Sequence, residues 1–229
     1  MLVRVLEPEV MDTPDEATDY DSMDHSAVNR RFAADFLALP VADTGLTLDV
    51  GTGTAQIPVE LCRQSPTIRI VAVDLADEML KLARLNVDRA GFYDRIRIEK
   101  VNGRRMDFPD GHFAAVVSNS IIHHIPTPAD CFAEMVRVCA PGGRLFVRDL
   151  HRPDSLAELE QLVETYAGSA NAHQRQLFAA SLHAALTLAE VRALVADLGF
   201  APDGVTLTSD RHWTWSATRA DLKFRSGKK

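Results

Sequence analysis

An apolar, β-branched run at residues 46–50 opens directly into Gly51-Thr52-Gly53-Thr54-Ala55-Gln56, and a segment read as helical from Ile57, Val59 and Leu61 follows. A strand, a glycine turn and a helix start in that order point to an α/β chain. Gly51 and Gly53 permit a tight turn and let the backbone approach a ligand where a Cβ would collide. The helix behind them turns unpaired N–H groups toward the turn. A dinucleotide fold is the obvious competitor, but the third glycine of its G-x-G-x-x-G pattern would fall at Gln56. Asp49 also sets a carboxylate beside the turn. A pyrophosphate would face that like charge, at a cost of roughly 4 kcal/mol for charges about 4 Å apart in an effective dielectric near 20. A cationic ligand suits the site better.

A second acidic residue closes the next apolar run. Residues 68–73 read as a buried strand ending at Asp74, 23 positions beyond Gly51. A carboxylate there has two acceptor oxygens for the two adjacent hydroxyls of a ribose; a helix cap for the following segment is the alternative. Asp49, Gly51 and Gly53, with Asp74 and the residues after it, resemble the first two motifs of the class I S-adenosylmethionine-dependent methyltransferases, Ala55 standing in place of a third glycine. The resemblance implies a doubly wound, mostly parallel seven-stranded sheet of order 3-2-1-4-5-7-6, the last strand antiparallel, with helices on both faces. It implies that the turn Gly51-Thr52-Gly53 packs against the methionine part of S-adenosyl-L-methionine, that Asp74 holds the ribose, and that Leu75 and Met79 flank the adenine. Asn102-Gly103 stands where the family has Gly-Asp-Ala; Asn102 still offers a carbonyl oxygen to the adenine amino group.

Further matches are a Pro-Asp turn before the fourth strand (residues 108–113) and Pro141-Gly142-Gly143 before the fifth. Beyond the fourth strand, Asn119, Ser120, His123 and His124 overlook the place where the methyl group reacts, since ligands of open α/β sheets gather past the carboxyl ends of strands. His123-His124 resembles the doublet of many small-molecule methyltransferases, and either is a candidate proton acceptor; packing or capping is the alternative. The Asn/Asp-Pro-Pro-Tyr signature of amino-group methyltransferases is absent, which points away from DNA adenine and glutamine amides.

Residues 7–24 hold eight carboxylates and no Lys or Arg, a composition expected of a solvated, mobile arm. The arm ends in Tyr20-Asp21, which the family places on a segment folding over the cofactor, so Tyr20, His25 and Arg30 are lid candidates. The expected organisation is an acidic arm and lid helix at 1–40, a Rossmann-like domain at 41–219 with a helical cap insertion at about 151–186, and a basic tail at 220–229. The insertion is expected to cover substrate, a dimer interface being the alternative; residues 20–30 and 166–173 are expected to be mobile until ligand binds.

The net charge of −7 argues against nucleic acid, which needs clustered Lys and Arg. No run of eighteen apolar residues suits a membrane span, and the N-terminus lacks the basic start and apolar core of a secretory signal. Cys62, Cys131 and Cys139 form no C-x-x-C and read as free core thiols of a cytoplasmic protein. A small-molecule methyl acceptor and a monomer or homodimer are expected. Three rivals remain: a cofactor-binding protein without catalysis, a nucleotide-dependent oxidoreductase, and a metal enzyme using His123, His124, Asp149 and His151. The spacing of that last set matches no standard metal motif, so no metal is expected.

Overall fold

Five runs rich in Val, Ile and Leu form the parallel part of one sheet: β1 (Leu46–Val50), β2 (Arg69–Asp74), β3 (Ile96–Lys100), β4 (Phe113–Asn119) and β5 (Cys139–Leu150). They are joined by β6 (Val205–Leu207) and β7 (His212–Thr218) in the order β3-β2-β1-β4-β5-β7-β6. β7 runs antiparallel to both β5 and β6. This is the expected topology. The structure, a computed structural model, describes residues 2–7, 12–40 and 45–219; the basic tail at 220–229 lies outside them.

Among the described residues, eight α-helices surround the sheet: α1 (Pro14–Ser22), α2 (Ser26–Leu37), α3 (Gln56–Gln64), α4 (Asp77–Ala90), α5 (Pro128–Val138), α6 (Leu156–Ala167), α7 (Ala172–Ala184) and α8 (Leu188–Asp197). Alternate strand residues feed two cores. Leu48, Val50, Val71 and Val116 meet Phe132, Met135 and Val191 on one face. Ala72, Ala115, Val117 and Phe146 meet Phe32, Phe36, Leu61 and Ala83 on the other. With both faces covered, β1, β2 and β4 read as near-continuous apolar runs rather than alternating ones. Trp213 and Trp215 are fully buried in the first core, with Phe132 and Phe200 against the Trp215 ring. The chain order reverses between β1 and β4, so the carboxyl ends of β1, β2 and β4 open onto the crevice where such sheets bind ligands.

Three local features depart from the sequence reading. The acidic arm contains a helix: Thr13 and Glu16 form a capping box, Pro14 occupies the first helical turn, and Asp15 and Glu16 sit where the helix dipole favours negative charge. Ala17 of that helix is buried against Ala76 and Met79. β5 begins at Cys139, ahead of the expected turn. Pro141-Gly142-Gly143 is carried within it as an irregularity in the pairing with β4, because the Gly142 N–H donates to the Arg219 carbonyl and the Arg219 N–H returns to Gly143. Residues 2–7, ahead of the arm, lie against α7 and the turn after β4: Val5 N–H reaches the His183 carbonyl, and the Arg4 guanidinium reaches the carbonyls of Ala184, His123 and Ile125. α6 and α7, the insertion, pack on Leu150 with Leu2 at their edge.

Candidate active site

The glycine turn is tied to β2 before any ligand is considered. The N–H groups of Gly51 and Thr52 both donate to the Val73 carbonyl, at 2.8 and 2.9 Å. Gly51 has φ +73°, and a Cβ there would lie 2.1 Å from Cδ1 of Ile121. Its lack of a side chain is therefore demanded by Ile121, a protein neighbour, as well as by the backbone angle. Gly53, at φ +53°, has Tyr20 at 3.7 Å from its missing Cβ and no other described residue within 4 Å. Ala55, in the place of a third glycine, holds the left-handed angle itself at φ 61°. That costs a residue with a Cβ about 1–2 kcal/mol, the kind of strain kept at functional sites. α3 starts with no side-chain cap, so its first N–H groups lack that partner.

Asp74 braces the turn from β2. Its Oδ2 accepts from Gly53 N–H at 2.8 Å and its Oδ1 from Ala76 N–H at 3.0 Å. Each oxygen keeps a further lone pair for a ligand. Burial raises the Asp74 pKa above the ordinary carboxylate value, and the Ala76 and Gly53 N–H groups oppose the rise.

Two cavities meet at Tyr20, Gly51 and Asn119. The larger, about 120 Å³, has Gly53, Asp74, Leu75, Met79, Asn102 and Gly103 along one side and Ser120, Ile121, His124 and Ile125 along the other. The smaller, about 20 Å³, has room for one water-sized group. Asn29, Asp49, Thr52, Thr54 and Gln56 line it. Asp49 Oδ2, Thr52 Oγ1 and Thr54 Oγ1 are buried there without a hydrogen-bond partner among the described residues. Burial pushes the Asp49 carboxyl up to about 7, with Asp74 adding to the rise; Thr52 lies close enough to oppose it without meeting hydrogen-bond geometry. Burial, followed by Asp74 and Asp49, pushes the Tyr20 phenol to about 12, so Tyr20 is a neutral wall.

The structure gathers Tyr20, Asp49, Gly51, Thr52, Gly53, Asp74, Leu75, Met79, Asn102, Gly103, Asn119 and His124 around the two cavities. Asn102 turns its Oδ1 to the Arg104 N–H at 2.9 Å. A Cβ on Gly103 would press on Val50 and Cys131, at 3.1 and 3.4 Å, so this glycine lets the loop settle onto the core. Arg30 is placed elsewhere: it is exposed on α2, and its carbonyl accepts from Gln64. The buried face of α2 is Asn29, Phe32, Ala33 and Phe36, and counting back one turn from Phe32 reaches Asn29, which donates to Gln56 at 3.1 Å. His25 lies tilted against Tyr20 with ring centroids 5.1 Å apart, outside both linings. His123 also lies outside them. It is buried, with Nδ1 2.6 Å from Asp149 Oδ1. Burial opposes charge on His123, but Asp149, and then Glu7, outweigh it and hold its pKa above the ordinary value. The His151 backbone pairs with Leu186, and His151 is not among the side chains gathered with His123 and His124. Glu7, which the sequence offered no reason to join to the doublet, lies 3.5 Å from His123 Nε2 and 3.2 Å from His124 Nδ1.

Residues 48–147 match the model of the family described as "Methyltransferase domain", and they hold the glycine turn braced by Asp74 on a sheet of the expected order. S-adenosyl-L-methionine is the cofactor that this domain implies. Among curated proteins the chain is similar to the ubiquinone/menaquinone biosynthesis C-methyltransferase of Geobacter sulfurreducens, 33% identical over 115 residues, which is 50% of this chain and 45% of that one. It is also similar to the phosphatidylethanolamine N-methyltransferase of Cereibacter sphaeroides, 29% identical over 56% of this chain and 63% of that one. The chain thus spans about half the length of the curated relatives it matches. A SAM-dependent methyltransferase structure from Aquifex aeolicus shares the fold, with a TM-score of 0.64 and 16% identity over 91% of this chain and 99% of that one.

Proposed function

We propose that this protein transfers a methyl group from S-adenosyl-L-methionine to a small-molecule acceptor. The observation that carries the reading is Asp49, a buried carboxylate with an unpartnered oxygen in a pocket just large enough for an ammonium group, beside the glycine turn. The unpartnered hydroxyls of Thr52 and Thr54 and the two carboxylates Asp49 and Asp74 suit a cationic ligand that also presents hydroxyl donors. A phosphate-bearing ligand would meet those charges as repulsion. In this reading Asp49 faces the amino acid part of the cofactor, Asp74 takes both ribose hydroxyls, and Leu75 and Met79 flank the adenine with Asn102 at its edge. Tyr20 roofs the junction of the two cavities and excludes water.

When bound, S-adenosyl-L-methionine supplies a methyl group already activated by its sulfonium, so the chain has mainly to align the acceptor and keep the site dry. Where the acceptor must lose a proton, His124 is the imidazole at the cavity wall, and His123, held by Asp149, is a positioning residue. Ile121 and Ile125 beside it favour an acceptor with an apolar part. The quinone and phospholipid acceptors in the names of the curated relatives share that property. Three buried free thiols fit a cytoplasmic protein, and none of the helices among the described residues is long and apolar enough to cross a membrane. Calorimetry tests the binding step: S-adenosyl-L-methionine should bind at one site per chain while NAD gives no heat. Binding of NAD in its place would make the protein a nucleotide-dependent oxidoreductase. Binding of the sulfonium without turnover on any acceptor would leave a cofactor-binding protein.

A further inference from the structure

We propose that Glu7, His123 and His124 form a binding site for a divalent transition metal ion, of which Zn²⁺ is the simplest case, at the wall of the larger cavity. One ligand atom from each residue lies within 4.8 Å of the others. Glu7 Oε1 stands 3.5 Å from His123 Nε2 and 3.2 Å from His124 Nδ1. Metal–nitrogen and metal–oxygen bonds of about 2.0–2.1 Å in a tetrahedron set neighbouring donors about 3.3–3.4 Å apart, so both separations are close to those a shared ion requires. The side chain of Glu7 is only 9% exposed, and its Oε1 makes no hydrogen bond among the described residues.

The neighbour behind His123 strengthens the case. Asp149 takes Nδ1 of His123 at 2.6 Å and is itself fixed by the N–H groups of Ile122 and Leu150. A carboxylate behind a ligating imidazole sets the tautomer, leaving the Nε2 lone pair to a metal. In His123 that lone pair points to the Glu7 side, where one carboxylate oxygen and one nitrogen face each other at 3.5 Å. A proton bridges that pair in the metal-free chain and a cation can take its place, and two imidazoles with one carboxylate suit Zn²⁺, Co²⁺ or Fe²⁺ rather than Mg²⁺ or Ca²⁺. His124 lines the larger cavity, so an ion on its Nδ1 lies within reach of an acceptor there. An imidazole ligating through Nδ1 keeps its proton on Nε2; His124 would then orient the acceptor instead of deprotonating it. The ion would also tie residues 2–7 to the turn after β4.

The site is tested with the metal alone, so its failure leaves the methyltransferase reading intact. The full chain, stripped by chelator and dialysed, is titrated with Co²⁺ and with Zn²⁺ near neutral pH. One Co²⁺ per chain with the intense visible bands of tetrahedral coordination, displaced by one Zn²⁺, is expected. Glu7→Gln and His124→Gln, each checked for native circular dichroism, should lose those bands. Asp149→Asn should weaken the affinity by about ten- to a hundredfold. Absence of the bands in the unaltered chain would overturn the proposal and leave Glu7 in a plain ion pair with protonated histidine. Bands that persist in both Gln variants would place the ion elsewhere and overturn it equally.

Discussion

At the scale of single residues, the proposed function rests most on Asp49. Its carboxyl titrates near 7 in the folded chain against an ordinary value of 3.8, because burial disfavours its charge. Between those two values the folded chain holds a proton that the unfolded chain has released, so this group's contribution to stability falls as pH rises through that window and is constant above it. Asp49→Asn should therefore raise the melting temperature relative to the unaltered chain more at pH 8 than at pH 5. The same substitution should weaken S-adenosyl-L-methionine binding by about ten- to a hundredfold, the value of a hydrogen bond to a charged group. In the unaltered chain affinity should increase from pH 6 to pH 8 as the carboxylate ionises. A pH-independent affinity would remove Asp49 from the cofactor. Asp74 differs in kind, since Gly53 and Ala76 already use its oxygens. Asp74→Asn keeps an acceptor for one of them, and calorimetry should show a loss of similar size with the melting temperature lowered as well. Unchanged affinity in a folded Asp74→Asn would end its assignment to the ribose.

At the scale of elements, the turn and the helix over it behave differently from what the sequence alone suggests. Gly51→Ala should cost stability of about 2–5 kcal/mol, combining a left-handed angle with a Cβ pressed on Ile121. Gly53→Ala has room beside Tyr20 and should pay only for its angle. Adding Ile121→Ala to Gly51→Ala should recover part of the loss in denaturant titrations; no recovery would mean that the clash is not the cause. The strands, the glycine turn and both strand-end acids were legible because apolar runs, glycines and carboxylates are local signals. The capping box of α1 was equally local, yet its acidic composition hid it. Asn29 could have been reached by helical period from Phe32 and Phe36, whereas Arg30 was a lid candidate only through the segment it shares with Tyr20. Ile121 against Gly51 was not legible, since a tight contact between distant segments leaves no mark in either. We expect hydrogen exchange in residues 14–22 to slow when demethylated cofactor is added, because α1 carries Tyr20 over the cavities and meets Met79 through Ala17. Equal exchange in both states would make α1 a fixed wall.

At the scale of the whole molecule, the sheet places three carboxyl ends around one crevice, and the chain brings its beginning back to the same place. Residues 2–7 lie on α7 and on the turn after β4, and Glu7 reaches the histidine doublet. No side chain of the insertion at 151–186 lines either of the two cavities; α6 and α7 instead pack on Leu150 and Leu2. In the proposed reading, cover for the acceptor would come chiefly from Tyr20 of α1 and the turn after β4, whose side chains line the larger cavity. Methyl transfer is the claim that joins these levels. Its most direct test is incubation of the full chain with methyl-labelled S-adenosyl-L-methionine and a fractionated metabolite extract. We predict label in a small-molecule fraction, stoichiometric release of S-adenosylhomocysteine, and loss of both with Asp49→Asn. Intact cofactor and no labelled fraction above the protein-free blank, from a chain that binds the cofactor, would contradict it.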